Sequence, residues 1–211
     1  MTTSETPLPG APAPVAALLL AAGGGRRLGG RPKALLPHHG RPLVEHAVRV
    51  LRAGGCDPAV RVVLGATAAH VRERADLSGC VLLDNPDWEQ GMGSSLRAGL
   101  AALSATAPAP PAALVFLVDQ PGITAAAVAR VLRTTGHDPA VLAAATYGGH
   151  RGHPVLLGAD HWPGVVREAG GDRGARGYLR AHAAQLTLVE CGDVADPADI
   201  DTPDDLRRLA P

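Results

Sequence analysis

Aromatic side chains are nearly missing from the chain. Two Trp, two Tyr and one Phe make up 2% of 211 residues. A buried core must therefore be built from Ala, Val and Leu, and a platform of rings for stacking single-stranded nucleic acid is excluded. Neither sign of charge is in excess, with Lys+Arg and Asp+Glu at 20 each, so no overall field draws the chain to nucleic acid or to a membrane surface. Cysteine is scarce too. Cys56, Cys80 and Cys191 lie far apart, match no metal-ligand spacing and read as small buried apolar side chains, with no sign of an oxidising compartment. The first apolar run, Val15–Ala22, is too short to span a bilayer. Met1–Pro14 has Pro, Thr and Ala but no Lys or Arg and no apolar core, so it is not a secretory signal and reads as a disordered tail. The expectation is one cytoplasmic domain over 15–211, large enough to bury a core.

What the chain does contain is an alternation of apolar strand-like runs with helical stretches. Val15–Ala22, Ala59–Leu64, Cys80–Leu83, Ala112–Val118, Ala140–Thr146, Pro154–Leu157 and Gln185–Cys191 read as strands. Pro42–Ala53, Ala68–Ala75, Gly93–Leu103, Ala125–Arg133, Gly174–His182 and Pro203–Leu209 read as helices, with Thr124 and Thr202 as caps and Ser94 or Ser95 near a third start. Tyr147–His153 reads as a loop. This order predicts a mostly parallel sheet covered on both faces, a three-layer α/β/α Rossmann-like architecture, with ligands beyond the carboxyl ends of the strands.

The stretch Leu18–Lys33, L-L-L-A-A-G-G-G-R-R-L-G-G-R-P-K, follows the first strand. Consecutive glycines let the backbone turn with its N–H groups open to an anion. Gly23, Gly25 and Gly29 are spaced G-x-G-x-x-x-G, one residue too long for the dinucleotide fingerprint, and no G-K-[ST] follows to make a P-loop. Arg26, Arg27 and Lys33 add charge suited to a triphosphate. Asp119, in Val118-Asp119-Gln120-Pro121, leaves the most apolar strand; it is either a turn residue or a ligand for a cation. Asp201, in Asp199-Ile200-Asp201-Thr202-Pro203, is either part of an acidic helix cap or the partner of Asp119 across a metal. Asn85…Gly91-Met92-Gly93-Ser94-Ser95 offers neutral hydrogen-bonding groups for a base or ribose, or else an ordinary capped helix. Gly149-His150-Arg151-Gly152-His153 and Gly171-Asp172-Arg173-Gly174-Ala175-Arg176 pair glycines with basic residues, as a site for an anionic second substrate would. His150 and His153 read as neutral loop histidines rather than metal ligands.

In this order the segments resemble the MobA-like nucleotidyltransferase family, over about Val15–Leu209, and within it the molybdenum cofactor cytidylyltransferase branch. The resemblance implies attack of a substrate phosphate on the α-phosphorus of a nucleoside triphosphate, with release of pyrophosphate. It implies Arg27, Lys33 and Asp119 as catalytic residues, and a nucleotide site of Leu20, Ala21, Ala22, Gly23, Gly24, Gly25, Arg27, Lys33, Asn85, Gly91, Met92, Ser94 and Ser95. Asp119 and Asp201 would bind Mg²⁺. Gln120, Arg151, Gly152, His153, Asp172 and Arg176 would face a phosphate-bearing acceptor such as molybdopterin. Transient contact with a molybdoenzyme or its chaperone would follow, and neither nucleic acid nor membrane is a partner. Gly24-Gly25 stands where many relatives carry a hydroxyl, and Pro32 stands where the family's guanylyltransferases commonly carry an acid, which leans toward CTP. Three rivals remain. An NAD(P)H-dependent oxidoreductase could use the same glycine loop, but it predicts an acid after the second strand, where Gly65-Ala66-Thr67 stands. A non-catalytic nucleotide sensor would need no metal pair. The acceptor could also be a sugar or polyol phosphate.

Overall fold

Every residue of the first strand, β1 (Ala16–Ala21), is buried, because the strand has a core on each face. Val15, Ala17, Leu19 and Ala21 point into one core, and Ala16, Leu18, Leu20 and Ala22 into the other. This explains an unbroken apolar run where a half-buried strand would alternate. The computed structural model describes residues 14–135 and 137–209; the tail expected over 1–14 lies, apart from Pro14, outside them. After β1 come a short hairpin, β2 (Pro37–His38) and β3 (Arg41–Pro42), then α1 (Leu43–Ala53), β4 (Arg61–Leu64), α2 (Ala68–Arg74) and β5 (Val81–Asp84). The chain continues through α3 (Met92–Ser104), β6 (Ala112–Leu117), α4 (Ala125–Thr135), β7 (Leu142–Tyr147) and β8 (His150–Gly158). It ends with α5 (Trp162–Glu168), α6 (Arg176–Ala181), β9 (Thr187–Glu190) and a 3-10 helix over Pro203–Leu209.

The main sheet has seven strands in the order β5-β4-β1-β6-β8-β7-β9. β8 runs antiparallel to both its neighbours and the other pairings are parallel. One face is covered by α1 and α4, whose Leu43, Val44, Val48, Leu51 and Val128 enter the first core. The other face is covered by α3, α5 and α6, through Leu96, Leu100, Trp162, Val165 and Leu179. The expected three layers are therefore present. Leu20 is opposite both Val63 and Leu117, so β1, β4 and β6 end side by side and their following loops open at one edge of the sheet.

Four local expectations change. The stretch read as a loop over Tyr147–His153 is a tight hairpin: Gly148 (φ 58°) and Gly149 (φ 81°) form its turn, and Arg151, Gly152 and His153 are strand residues of β8. A two-residue turn with both φ positive matches the twist of the flanking strands. His150 and His153 are thus strand residues and not loop histidines. Ser94 and Ser95 do not cap α3; they lie in its first turn and are buried. Thr202 does not cap the last helix by accepting from it. Instead Asp205 accepts hydrogen bonds from the N–H of Asp201 and of Thr202 and from the Thr202 hydroxyl. Thr124 does cap α4, its hydroxyl accepting from the N–H of Ala127 at 3.3 Å.

Candidate active site

The glycine loop is held open by its own geometry. Gly25 has φ 62°, and a Cβ there would fall 1.8 Å from the carbonyl oxygen of Arg31, so no other residue fits. The Gly25 carbonyl accepts from the N–H of Leu28 (2.8 Å) and of Gly30 (3.0 Å), while the Leu28 side chain plugs into the first core. Among the described residues nothing accepts from the N–H groups of Gly23, Gly24 or Gly25. Unpaired N–H groups on such a turn attract anions. Arg26 and Arg27 extend from it into solvent. Lys33 begins a 3-10 turn whose Ala34 is buried, which fixes the backbone from which its ammonium reaches inward.

Two loops bring that ammonium its partners. Asp119 follows β6, and Asp199 and Asp201 precede the last helix. The N–H of Ile200 donates to the carbonyl of Asp119 at 2.9 Å, joining the two segments, and the Ile200 side chain is fully buried. Alternation about Ile200 then turns both flanking carboxylates away from the core. Lys33 Nζ is 2.7 Å from Asp119 Oδ2 and also hydrogen-bonds Asp201 Oδ1. Arg27 Nη1 is 3.3 Å from Asp201 Oδ2. Burial pulls the Lys33 pKa down, but Asp119 and then Asp201 outweigh it, and the net shift is upward, keeping the ammonium charged. Burial, and next the Asp119 charge, raise the pKa of Asp199. Gln120 Nε2 donates to Asp199 Oδ1 (2.7 Å) and to the Pro197 carbonyl (3.1 Å).

Two adjoining cavities meet at this cluster. The first, about 600 Å³, is lined by Asp119, Asp201, Lys33 and Arg27, by the glycine loop, and by Trp88, Gly91, Met92 and Ser95, with the charged Arg26, Glu89 and Asp172 beside them. The second, about 450 Å³, has apolar walls of Leu96, Val155, Leu157 and Leu179 and a polar rim of Gln120, Arg151, His153, Arg173 and Arg176. Leu20, Met92, Leu117, Arg176 and Asp199 line both. Burial, with a smaller contribution from Arg176, pushes the His153 pKa down to about 4, so the ring is neutral at pH 7. Glu190 anchors the hairpin that carries Arg151 and His153: its carboxylate accepts from the Thr146 hydroxyl (2.8 Å) and from the N–H of Gly148 (3.1 Å).

Residues 17–186 match the model of the MobA-like NTP transferase domain. The chain belongs to that family. It is 42% identical over 202 residues to nicotine blue oxidoreductase of Paenarthrobacter nicotinovorans, covering 92% of this chain and 96% of that protein. It is 30% identical over 197 residues to molybdenum cofactor guanylyltransferase of Pseudomonas paraeruginosa, covering 92% and 94% respectively. Among solved structures, Rv0371C of Mycobacterium tuberculosis H37Rv, a complex with manganese, superposes with a TM-score of 0.72 at 26% identity, over 94% of this chain and 98% of that one.

In this MobA-like chain most of the residues singled out in the sequence reach the two cavities, and three do not. Ala21 points into the first core. Asn85 and Ser94 lie behind the cleft wall. The Asn85 amide nitrogen donates to the hydroxyls of Ser94 (2.8 Å) and Ser95 (3.0 Å), its oxygen accepts from the Asp87 N–H (3.0 Å), and the Ser94 hydroxyl donates to the Asp87 carbonyl (2.8 Å). They brace the 85–91 turn and line neither cavity. Asp172, assigned to the acceptor, lines the first cavity instead of the second. Asp119 and Asp201 do converge, with the Lys33 ammonium between them. Sequence reasoning named Arg173 only within the basic stretch Gly171–Arg176, and it passed over Asp199 and Trp88 as site residues. The i, i+2 spacing of Asp199 and Asp201 about a core isoleucine was the signal for the first. The scarcity of Trp in the chain was the signal for the last. Among the described residues no helix is long and apolar enough to cross a membrane.

Proposed function

We propose that the chain transfers a nucleotidyl group from a nucleoside triphosphate, CTP in our reading, to a phosphate-bearing acceptor of the molybdopterin type. The observation that carries this is the meeting of Lys33, Arg27, Asp119 and Asp201 in the wall of the first cavity, with Asp199 and Arg176 lining both cavities. With the β- and γ-phosphates on the N–H groups of Gly23–Gly25 and on Arg27, the α-phosphorus would lie near Lys33. An oxygen of the acceptor phosphate then forms the new bond to the α-phosphorus, the bond from that phosphorus to its β-bridging oxygen breaks, and pyrophosphate leaves with the electron pair. Lys33 keeps its proton throughout and balances the charge growing on the α-phosphoryl oxygens. Arg151 and Arg176 orient the acceptor, and positioning of this kind supplies much of the rate.

Asp119 and Asp201 would hold a divalent cation, for which Mg²⁺ is our assignment. The Lys33 ammonium shared between them fits this, since both carboxylates already share one positive charge. Among the described residues no three His, Cys, Asp or Glu side chains form a metal site by themselves. Water and phosphate oxygens would complete the shell, as Mg²⁺ prefers. Bound there, the ion would act as a Lewis acid on the phosphates. Pro32 before Lys33 supports CTP, and the guanylyltransferase relative makes GTP the necessary comparison. We assign the activity to the cytoplasm, with transient contact to a molybdoenzyme or its chaperone as the route for the product.

The test is pyrophosphate release with CTP, GTP or ATP, Mg²⁺ or Mn²⁺, and a molybdopterin-type, sugar-phosphate or polyol-phosphate acceptor. Release is expected with CTP and the molybdopterin-type acceptor. A second reading, an NAD(P)H-dependent reductase, is favoured by the 42% identity to nicotine blue oxidoreductase. Against it, Gly65 offers no carboxylate to a ribose at the end of β4. No pyrophosphate with any pair, together with tight NADPH binding and bleaching of nicotine blue, would replace the first reading by the second.

A further inference from the structure

In a doubly wound sheet a dinucleotide lays its pyrophosphate on the glycine loop and its adenosine over the carboxyl end of the adjacent strand. Here that strand is β4, which pairs with β1 up to Leu64 and continues into Gly65 and Ala66. The side chain of Trp88 occupies the crevice between the two loops. A Cβ built on Gly65 would fall 2.6 Å from Trp88 Cβ, and one built on Gly24 would fall 3.3 Å from Trp88 Cζ3. The guanidinium of Arg26 lies 5.7 Å from the centre of the indole ring. From behind, the buried Asn85 and Ser94 fix the turn on which Trp88 stands. The ring also forms a wall of the first cavity.

We propose that Trp88 is the residue that determines which nucleotide the site accepts: it fills the adenosine half of a dinucleotide site and confines the nucleoside end to a single, small base. The proposal rests on the nucleotidyltransferase reading. With the α-phosphorus near Lys33, the sugar and base enter the part of the cavity walled by Trp88, Gly91, Met92 and Ser95, beside Asp172. Its base then meets the indole ring. NADPH has nowhere to put its second nucleoside, and a purine must compete with the ring for space. Gly65 belongs to the same device, since a Cβ there would fall 2.6 Å from Trp88 Cβ and 2.7 Å from the Ala22 carbonyl oxygen, leaving no room for a side chain between them.

Direct binding of CTP, GTP and NADPH, by calorimetry in the presence of Mg²⁺, tests this on the wild type, Trp88→Ala and Trp88→Phe. The wild type is expected to prefer CTP to both. Trp88→Ala should lower the CTP-to-NADPH preference at least tenfold, chiefly by admitting NADPH, and Trp88→Phe should keep most of the wild-type preference. Circular dichroism confirms that each variant is folded, and Trp88→Phe remains an independent probe if Trp88→Ala is not. NTP binding with preferences unchanged in a folded Trp88→Ala overturns the proposal but leaves the transferase reading standing. NADPH binding to the wild type as tightly as CTP also overturns it. A wild type that binds no triphosphate overturns both.

Discussion

At Lys33 one ammonium serves two carboxylates that would otherwise repel each other, and this makes the residue testable apart from turnover. Lys33→Gln leaves Asp119 and Asp201 without a shared cation. The pair is part-exposed, so the loss in stability should be modest, about 1–2 kcal/mol in chelator. Added Mg²⁺ or Mn²⁺ should then raise the melting temperature of the variant more than that of the wild type, because the metal replaces the missing charge. An equal or smaller rise, measured by differential scanning fluorimetry, would separate these carboxylates from metal binding. Asp119→Asn makes the complementary prediction. Its fold should persist, because the contact joining the two loops is made by the Asp119 main-chain carbonyl, while pyrophosphate release falls at least about 100-fold, the scale on which loss of a charge-stabilising group acts. An Asp119→Asn enzyme of near-normal rate would remove the side chain from the site.

At the scale of elements, the two hairpin-like turns that frame the site respond differently to change. Gly25→Ala places a methyl group against the Arg31 carbonyl in left-handed backbone, so the loop must reshape, at a cost of about 1–3 kcal/mol. Triphosphate affinity should fall sharply, while binding of an isolated acceptor should not; calorimetry reads both. Glu190→Gln acts at the other end. It weakens the carboxylate bonds to Thr146 and Gly148 and should raise KM for the acceptor, with KM for the triphosphate nearly unchanged. Equal effects on both would make Glu190 a general stabiliser and no longer a positioning residue. The strands and long helices were legible because β1, β6 and α1 carry strong apolar patterns. The turns were less so. Gly148-Gly149 has the composition of a loop, and only the pairing of β7 with β8 makes it a hairpin. Trp162–Glu168 was passed over as a helix because seven residues with a proline and a glycine carry little periodicity. Asn85 looked like a ligand for a base because polarity is visible in sequence, whereas the burial that commits it to Ser94 and Ser95 is not.

The whole molecule couples the site to pH through its histidines. Alternation in the sequence implied three layers and a mostly parallel sheet but no strand order; the place of β8, antiparallel within the sheet, depends on the hairpin at Gly148-Gly149 and brings His153 to the wall of the second cavity. Burial pushes the His153 pKa down to about 4. Burial also lowers those of His38 and His46, which pack edge to face beside the loop of Pro121, with His46 Nε2 3.1 Å from the Pro121 carbonyl. In the unfolded chain these rings take up protons near pH 6.5. Between that value and the lower folded ones the unfolded state binds more protons, so stability rises with pH across the window and is lost on acidification. Each unit of displacement is worth about 1.4 kcal/mol, so His153 alone carries a loss on the order of 3 kcal/mol between pH 7 and pH 4. Asp199, whose raised pKa lets the folded state take up a proton first, opposes part of this. Denaturant titrations at pH 7, 6, 5 and 4 should therefore give a falling free energy of unfolding in the wild type, and His153→Gln should flatten the slope below pH 6.5. An unaltered slope in His153→Gln would mean that the ring is hydrated in the folded state and titrates as an ordinary surface histidine.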